Sequence, residues 1–131
     1  MFVDASAIIA ILTYEPEKEH FETTLKNADE IITSPLAIYE AVLGIVRKLS
    51  CSIRDARRAV ADFLKEAEAE IANIDEGIGD MALDAFDRFG RGRHRAALNM
   101  GDCFAYACAK MHRVPLLCKG DDFVHTDIAI A

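Results

Sequence analysis

Three acidic residues occupy positions where a carboxylate could do chemistry. Asp4 lies between the apolar residues 1–3 and the apolar run 5–12, where a lone charge is costly unless it is paired or bound to a metal. Glu40 is on the polar side of an amphipathic helix pattern, and Asp102 precedes the apolar segment 103–109. Each also has a purely structural explanation: Asp4 as a helix cap, Glu40 as a solvated side chain and Asp102 as a partner of a helix dipole.

These acids could form a functional site if the fold brings them together. Two unit charges about 4 Å apart repel by about 4 kcal/mol at an effective dielectric constant of about 20, and a divalent cation removes that cost. Oxygen ligands without neighbouring cysteine or histidine favour Mg²⁺ or Mn²⁺ over zinc. Such an ion lowers the pKa of bound water and stabilises charge on phosphoryl oxygens, so the acids point to phosphodiester hydrolysis.

The elements that must position the acids alternate between short apolar strands and longer helices. The pattern predicts strands over residues 1–4, 30–33, 71–74, 115–118 and 128–130, and helices over residues 5–12, 15–26, 35–49, 53–69, 76–89 and 102–112. This order predicts an α/β fold with a central, mostly parallel sheet covered on both faces. The crevice of such a sheet lies beyond the carboxyl ends of its strands. Asp4 and the pair Asp121 and Asp122 should therefore meet at one edge.

Length and composition limit the remaining possibilities. The 131 residues predict one domain over 1–131, and a hydrophobic content of 52% disfavours disorder. We expect no membrane segment and no signal peptide, since no apolar run approaches about 20 residues and the N-terminus lacks a basic leader. The cysteines have no zinc-site spacing, and as reduced thiols they fit a cytoplasmic protein: Cys51, Cys103, Cys108 and Cys118. The net charge of −7 excludes indiscriminate binding of nucleic acid over the whole surface.

Five segments, in order, resemble the PIN domain, and most closely its VapC-type toxin ribonucleases. They are MFVDASA at 1–7, SPLAIYEA at 34–41, GRGRH at 90–94, LNMGDCFAYA at 98–107, and LLCKGDDF with TDI at 116–123 and 126–128. Each segment alone is weakly specific. Their order and spacing over nearly the whole chain make the resemblance specific.

The resemblance implies a three-layer α/β/α fold and a Mg²⁺- or Mn²⁺-dependent site that cuts single-stranded RNA. Asp4 and Asp102 match the main metal ligands, and Glu40 completes the acidic cluster. The fourth acid falls in the loop before Phe123, where we favour Asp122 over its neighbour Asp121. The remaining site residue, Ser6, is expected either to hydrogen-bond a ligand carboxylate or water, or to cap a helix.

A basic loop precedes the Asp102 segment. Residues 88–95 contain four arginines and no acid. Three of them, in a glycine-containing loop, are predicted to contact RNA phosphates: Arg91, Arg93 and Arg95. A solvated or partner-facing surface is the alternative interpretation of this loop.

The resemblance also implies partners. These are a small antitoxin that covers the acidic cleft, an RNA substrate, and a second copy of the chain in a homodimer within a larger toxin–antitoxin complex. A nuclease acting in RNA processing or on DNA remains an alternative, as does a non-catalytic PIN module that binds RNA or protein. The complete set of acids argues against the non-catalytic module. A receiver domain of response-regulator type is disfavoured because its acid pair and phospho-accepting aspartate are missing.

Overall fold

The computed structural model describes residues 1–131 as a four-stranded sheet with six α-helices. The strands are β1 Phe2–Val3, β2 Ile32–Thr33, β3 Glu70–Ile71 and β4 Leu116–Leu117. The helices are α1 Ala5–Leu12, α2 Lys18–Lys26, α3 Pro35–Leu49, α4 Ile53–Glu66, α5 Glu76–Phe89 and α6 Met100–His112. A short 3₁₀ helix, Phe123–His125, follows β4.

The sheet is entirely parallel, with the strand order β3-β2-β1-β4. Phe2 of β1 is paired with Ile32 on one side and with Leu116 on the other. Along the chain, β2 and β3 are therefore added on one side of β1, and β4 is added on its other side. In such sheets the functional crevice lies where the strand order reverses, here beyond the carboxyl ends of β1 and β4.

Helices cover both faces of the sheet because successive strand residues point to opposite sides. Phe2, Ile32 and Leu116 pack in a cluster with residues of α5 and α6. Their neighbours Val3 and Leu117 pack in a second cluster with residues of α1, α2, α3 and α4. These two cores confirm the predicted α/β/α arrangement in three layers.

Helix α3 begins as the sequence predicts. The Ser34 hydroxyl accepts a hydrogen bond from the Ala37 amide at 3.1 Å, and Pro35 fills the first helical position. This start fixes the rotation of α3, with Ala41, Val42 and Ile45 buried in the core.

Several predicted boundaries are wrong by a few residues. The fourth helix ends at Glu66 rather than residue 69, because Glu68 has a φ of 51°, outside the helical region. The third strand lies at Glu70–Ile71 rather than 71–74, since its pairing with β2 ends when the Ala72 amide donates to Thr33. The strand predicted at 128–130 is reduced to a single bridge between Leu116 and Ile130.

None of the helices combines the length and the apolar character needed to cross a membrane. The cysteines are all free thiols, and three of them are buried in the core: Cys103, Cys108 and Cys118.

Candidate active site

Asp4 stands where β1 passes into α1, and only 7% of it is exposed. It caps α1, accepting hydrogen bonds on Oδ2 from the Ser6 amide at 2.9 Å and from the Ser6 hydroxyl. The capping role that the sequence offered for Ser6 therefore belongs to Asp4, and Ser6 instead hydrogen-bonds the carboxylate. Burial raises the pKa of Asp4, and the hydrogen bonds from Ser6 oppose that rise.

Glu40 extends from the second turn of α3 toward the start of α6 and is partly buried. Its carboxylate lies against Gly101, where an added side-chain carbon would come within 2.3 Å of both oxygens. Burial raises the pKa of Glu40 to about 7, and the charges of Asp4 and Asp102 act in the same direction. Glu40 is therefore more than a solvated surface acid, because it shares an electrostatic environment with the other two.

Asp102 is the third residue of α6 and not its first, as the sequence suggested. The helix begins at Met100 and is capped by Asn99, whose side chain accepts from the Asp102 amide at 3.0 Å. In return, Asp102 Oδ2 accepts from the Asn99 amide at 2.9 Å, which completes a capping box. Burial raises the pKa of Asp102 to about 6, with contributions from the charges of Asp4 and Asp122.

The two adjacent aspartates that follow β4 differ in their electrostatic relation to this cluster. Both are exposed. The charge of Asp122 helps to raise the pKa of Asp102, whereas Asp121 is not among the charges that act on it. The buried Cys118 thiol has a pKa raised to about 12, by burial first and then by Asp4, Asp102 and Asp122. These effects place Asp122 close to the other acids.

The resulting site is a cluster of carboxylates, none of which forms an ion pair with a basic side chain. The ion pairs of the protein all involve other acids. The donor set consists of carboxylate oxygens, the chemistry that suits hard divalent cations. No three histidine, cysteine, aspartate or glutamate side chains converge tightly enough to form a ready coordination group. The donor chemistry fits such an ion, and the side chains would have to close around it.

The basic loop is partly neutralised by acids from outside it. Arg88 pairs with Asp127 at 3.1 Å, and Arg93 pairs with Asp87 at 2.7 Å. The exposed residues Arg91 and Arg95 make no ion pair. The charge of Arg91 lowers the pKa of Asp102, so this arginine lies near the carboxylates.

Sequence reasoning missed two residues that shape the site. Asn99 could have been found, because Asn99 and Asp102 have the three-residue spacing of a capping box. Gly101 carries no functional group, and nothing in a single sequence reveals that its main chain supports the carboxylate of Glu40.

Comparison with known proteins gives close relatives over the full length. The PIN domain family model matches residues 1–129. A VapC ribonuclease from Rhizobium meliloti (strain 1021) is 42% identical over 139 aligned positions, which cover 97% of this chain and 98% of that protein. Ribonuclease VapC30 from Mycobacterium tuberculosis is 40% identical over 130 positions, which cover 98% of this chain and 96% of that protein.

Solved structures share the fold at lower sequence identity. The crystal structure of VapC20 from Mycobacterium tuberculosis, described as a sarcin-ricin loop cleaving toxin, matches with a TM-score of 0.79 and 14% identity over 99% of this chain and 97% of that one. A toxin–antitoxin complex from Klebsiella pneumoniae matches with a TM-score of 0.70 and 17% identity over 99% and 95%. Since a family model and relatives at about 40% identity cover almost every residue, the chain belongs to the PIN-domain family and, within it, to the VapC-type toxin endoribonucleases.

Proposed function

We propose that this VapC-type ribonuclease hydrolyses RNA phosphodiester bonds at the carboxylate cluster, with a divalent metal ion bound by Asp4, Asp102 and Glu40. Asp122 is the fourth acid of this proposed site. One observation carries the proposal: the charge of Asp4 helps to raise the pKa of both Glu40 and Asp102, and none of these three carboxylates forms an ion pair with a basic side chain. Clustered, uncompensated carboxylates are unfavourable for folding and are retained where they bind a cation.

The protein's own residues prepare two of these carboxylates. Both hydrogen bonds to Asp4 end on Oδ2, and the Asn99 amide binds Oδ2 of Asp102, so Oδ1 of each is left for a ligand. Ser6 and Asn99 thereby limit the rotation of the two carboxylates. When bound, Mg²⁺ or Mn²⁺ supplies an activated water and stabilises charge on the phosphoryl oxygens.

The proposed substrate contacts come from the basic loop. Arg91 and Arg95 have no acidic partner, so their guanidinium groups are free to bind phosphates, and Arg91 lies near the carboxylates. Among the three predicted arginines, Arg93 is the weaker candidate for phosphate binding, because it already forms an ion pair with Asp87.

Partners follow from membership of the family. We assign this chain a cognate antitoxin in the cytoplasm and a homodimeric state. An apolar groove of about 250 Å³ between α5 and α6, with Leu83 and Met100 exposed at its edges, offers a surface for one of these protein partners.

Sequencing of RNA ends after induction in cells tests the proposed function. Wild-type protein is expected to create new, discrete RNA ends, and Asp4→Asn is expected to create none. Asn keeps an oxygen that can accept from Ser6, so the cap of α1 is retained. The control is Asp62→Asn, which makes the same charge change on the exposed face of α4 and should cut like wild type. The same new ends with Asp4→Asn would contradict the proposal.

A further inference from the structure

We propose that Glu15 is a positioning residue of the acidic site, acting through Lys119 on the loop that carries Asp122 and on the hydrogen bond that orients Asp4. This inference rests on the proposed metal site. Glu15 and Lys119 lie outside the carboxylate cluster. Glu15 is in the connection between α1 and α2, and Lys119 is in the loop that follows β4.

The side chain of Glu15 lies in a loop but is fixed by hydrogen bonds from two lysines. Its side chain is only 13% exposed and accepts hydrogen bonds from two lysines, Lys48 near the end of α3 and Lys119 after β4. These two lysines lower the pKa of Glu15 to about 2, so it stays charged at neutral pH. Glu15 therefore joins three separate parts of the chain.

The side chain of Lys119 contacts Glu15, and its main chain contacts the acidic site. Its main-chain amide donates to the Ser6 hydroxyl at 2.9 Å, and that hydroxyl in turn donates to Asp4. Lys119 is thus held at the side chain by Glu15 and at the main chain by Ser6. A shift of this residue would change the hydrogen bond that orients the Asp4 carboxylate.

The same residue anchors the loop that bears Asp122. Residues 119–122 are all exposed, and Gly120 has a φ of +100°, in the region that favours glycine. The side-chain hydrogen bonds that hold this loop before the buried Phe123 are those of Lys119, to Glu15 and, at 3.0 Å, to Glu17. Because Asp122 is three residues from this anchor, Glu15 helps to fix its position relative to Asp102.

Positioning can be separated from a simple effect of charge. If only the electrostatic potential mattered, loss of the negative Glu15 would weaken cation binding and loss of the positive Lys119 would strengthen it. If the two residues act as a clamp, meaning that their contact holds the loop in place, either loss weakens binding. The double variant is then no weaker than Lys119→Met alone, because Lys119→Met already removes the contact with Glu15.

The test measures Mn²⁺ binding to the full-length protein by electron paramagnetic resonance of free Mn²⁺. We expect Glu15→Gln and Lys119→Met each to weaken binding by ~10-fold, as for other residues that orient metal ligands, and the combined variant to match them. Lys48→Met, which removes the other ion pair of Glu15, should bind like wild type. Thermal unfolding of each variant identifies any loss of fold.

The outcomes distinguish the clamp from the site on which it rests. Tighter binding by Lys119→Met, wild-type binding by Glu15→Gln, or an equal loss in Lys48→Met would each overturn the positioning role. Asp4→Asn serves as the reference for the site itself. Wild-type Mn²⁺ binding by Asp4→Asn would overturn the proposed metal site, whereas its loss together with unaffected Glu15→Gln overturns the clamp alone.

Discussion

The carboxylate of Glu40 lies against the main chain of Gly101, so closely that a side-chain carbon at residue 101 would come within 2.3 Å of both oxygens. Gly101 is the second residue of α6 and directly precedes Asp102. The missing side chain thus allows an acid from α3 to approach the first turn of α6, next to another acid. The positive end of the helix dipole favours a carboxylate at this place.

Gly101→Ala is expected to displace Glu40 and to lower the rate of RNA cleavage by about 10-fold, because misplacement of a group in an active site is costly even at about 1 Å. The helix should persist, since alanine is a better helix former than glycine. The measurement is initial cleavage rate, with circular dichroism to follow the helices. Gly79→Ala on α5 is the control, because a side-chain carbon there would meet nothing within 4 Å. Full activity of Gly101→Ala would show that the contact does not matter.

The raised pKa values predict how stability depends on pH in the absence of metal. Folding raises the pKa of Glu40 to about 7 and that of Asp102 to about 6, so the folded state binds more protons than the unfolded state between these values and the ordinary carboxyl range. The free energy of unfolding should therefore fall as the pH rises from about 5 to 7.5. The lowered pKa values of Glu15 and Asp127, about 2, lie below this window.

Glu40→Gln should remove part of this pH dependence. At pH about 7.5 in the presence of EDTA, we expect the variant to be more stable than wild type by on the order of 1 kcal/mol, allowing for the partial exposure of Glu40. Urea unfolding at several pH values measures the difference. If Glu40→Gln kept the wild-type dependence of stability on pH, burial and the neighbouring charges would not be raising the pKa of Glu40.

Arg91 and Arg93 should differ in their contribution to RNA binding. Arg91→Ala is expected to weaken binding of single-stranded RNA and to reduce the slope of log affinity against log salt by about 0.7, the value for one phosphate contact. Arg93→Ala should change binding much less, because Arg93 pairs with Asp87. Fluorescence anisotropy in an Asp4→Asn background measures binding without cleavage. Equal effects of the two substitutions would argue against a specific role for Arg91.

The two aspartates before Phe123 form a matched pair for substitution. Asp122→Asn should reduce both Mn²⁺ affinity and RNA cleavage, because the charge of Asp122 acts on Asp102. Asp121→Asn removes the same charge one residue away and should have little effect on either. Calorimetric Mn²⁺ titration and a cleavage assay compare the two variants. The opposite ranking would assign the fourth acid to Asp121.

The fold follows from local sequence signals to a large extent. The strand before Asp4 and the start of α3 at Ser34 and Pro35 are specified by residues adjacent in the chain, and both lie where predicted. A parallel sheet then brings the ends of β1 and β4 to one edge. The placement of Asp4 beside the loop of Asp122 is therefore accessible from sequence.

The remaining features depend on contacts between distant residues. Glu40 looks like a surface acid in sequence, and only the approach of α6 at Gly101 shows that it is partly buried. Counting charges over 88–95 overstates the free positive charge, because Arg88 is neutralised by Asp127, far along the chain. Pairing in three dimensions decides which arginines are free, and local charge patterns do not contain that information.

Cleavage of RNA by purified protein tests the central claim most directly. Wild-type protein should cut single-stranded RNA with Mn²⁺, stop when EDTA is added, and recover when Mn²⁺ is restored. Asp102→Asn should not cut under any of these conditions, while unfolding at a similar temperature, because asparagine can still accept from the Asn99 amide. Cleavage by Asp102→Asn at the wild-type rate, or by wild type in EDTA, would contradict a metal-dependent site built on these carboxylates.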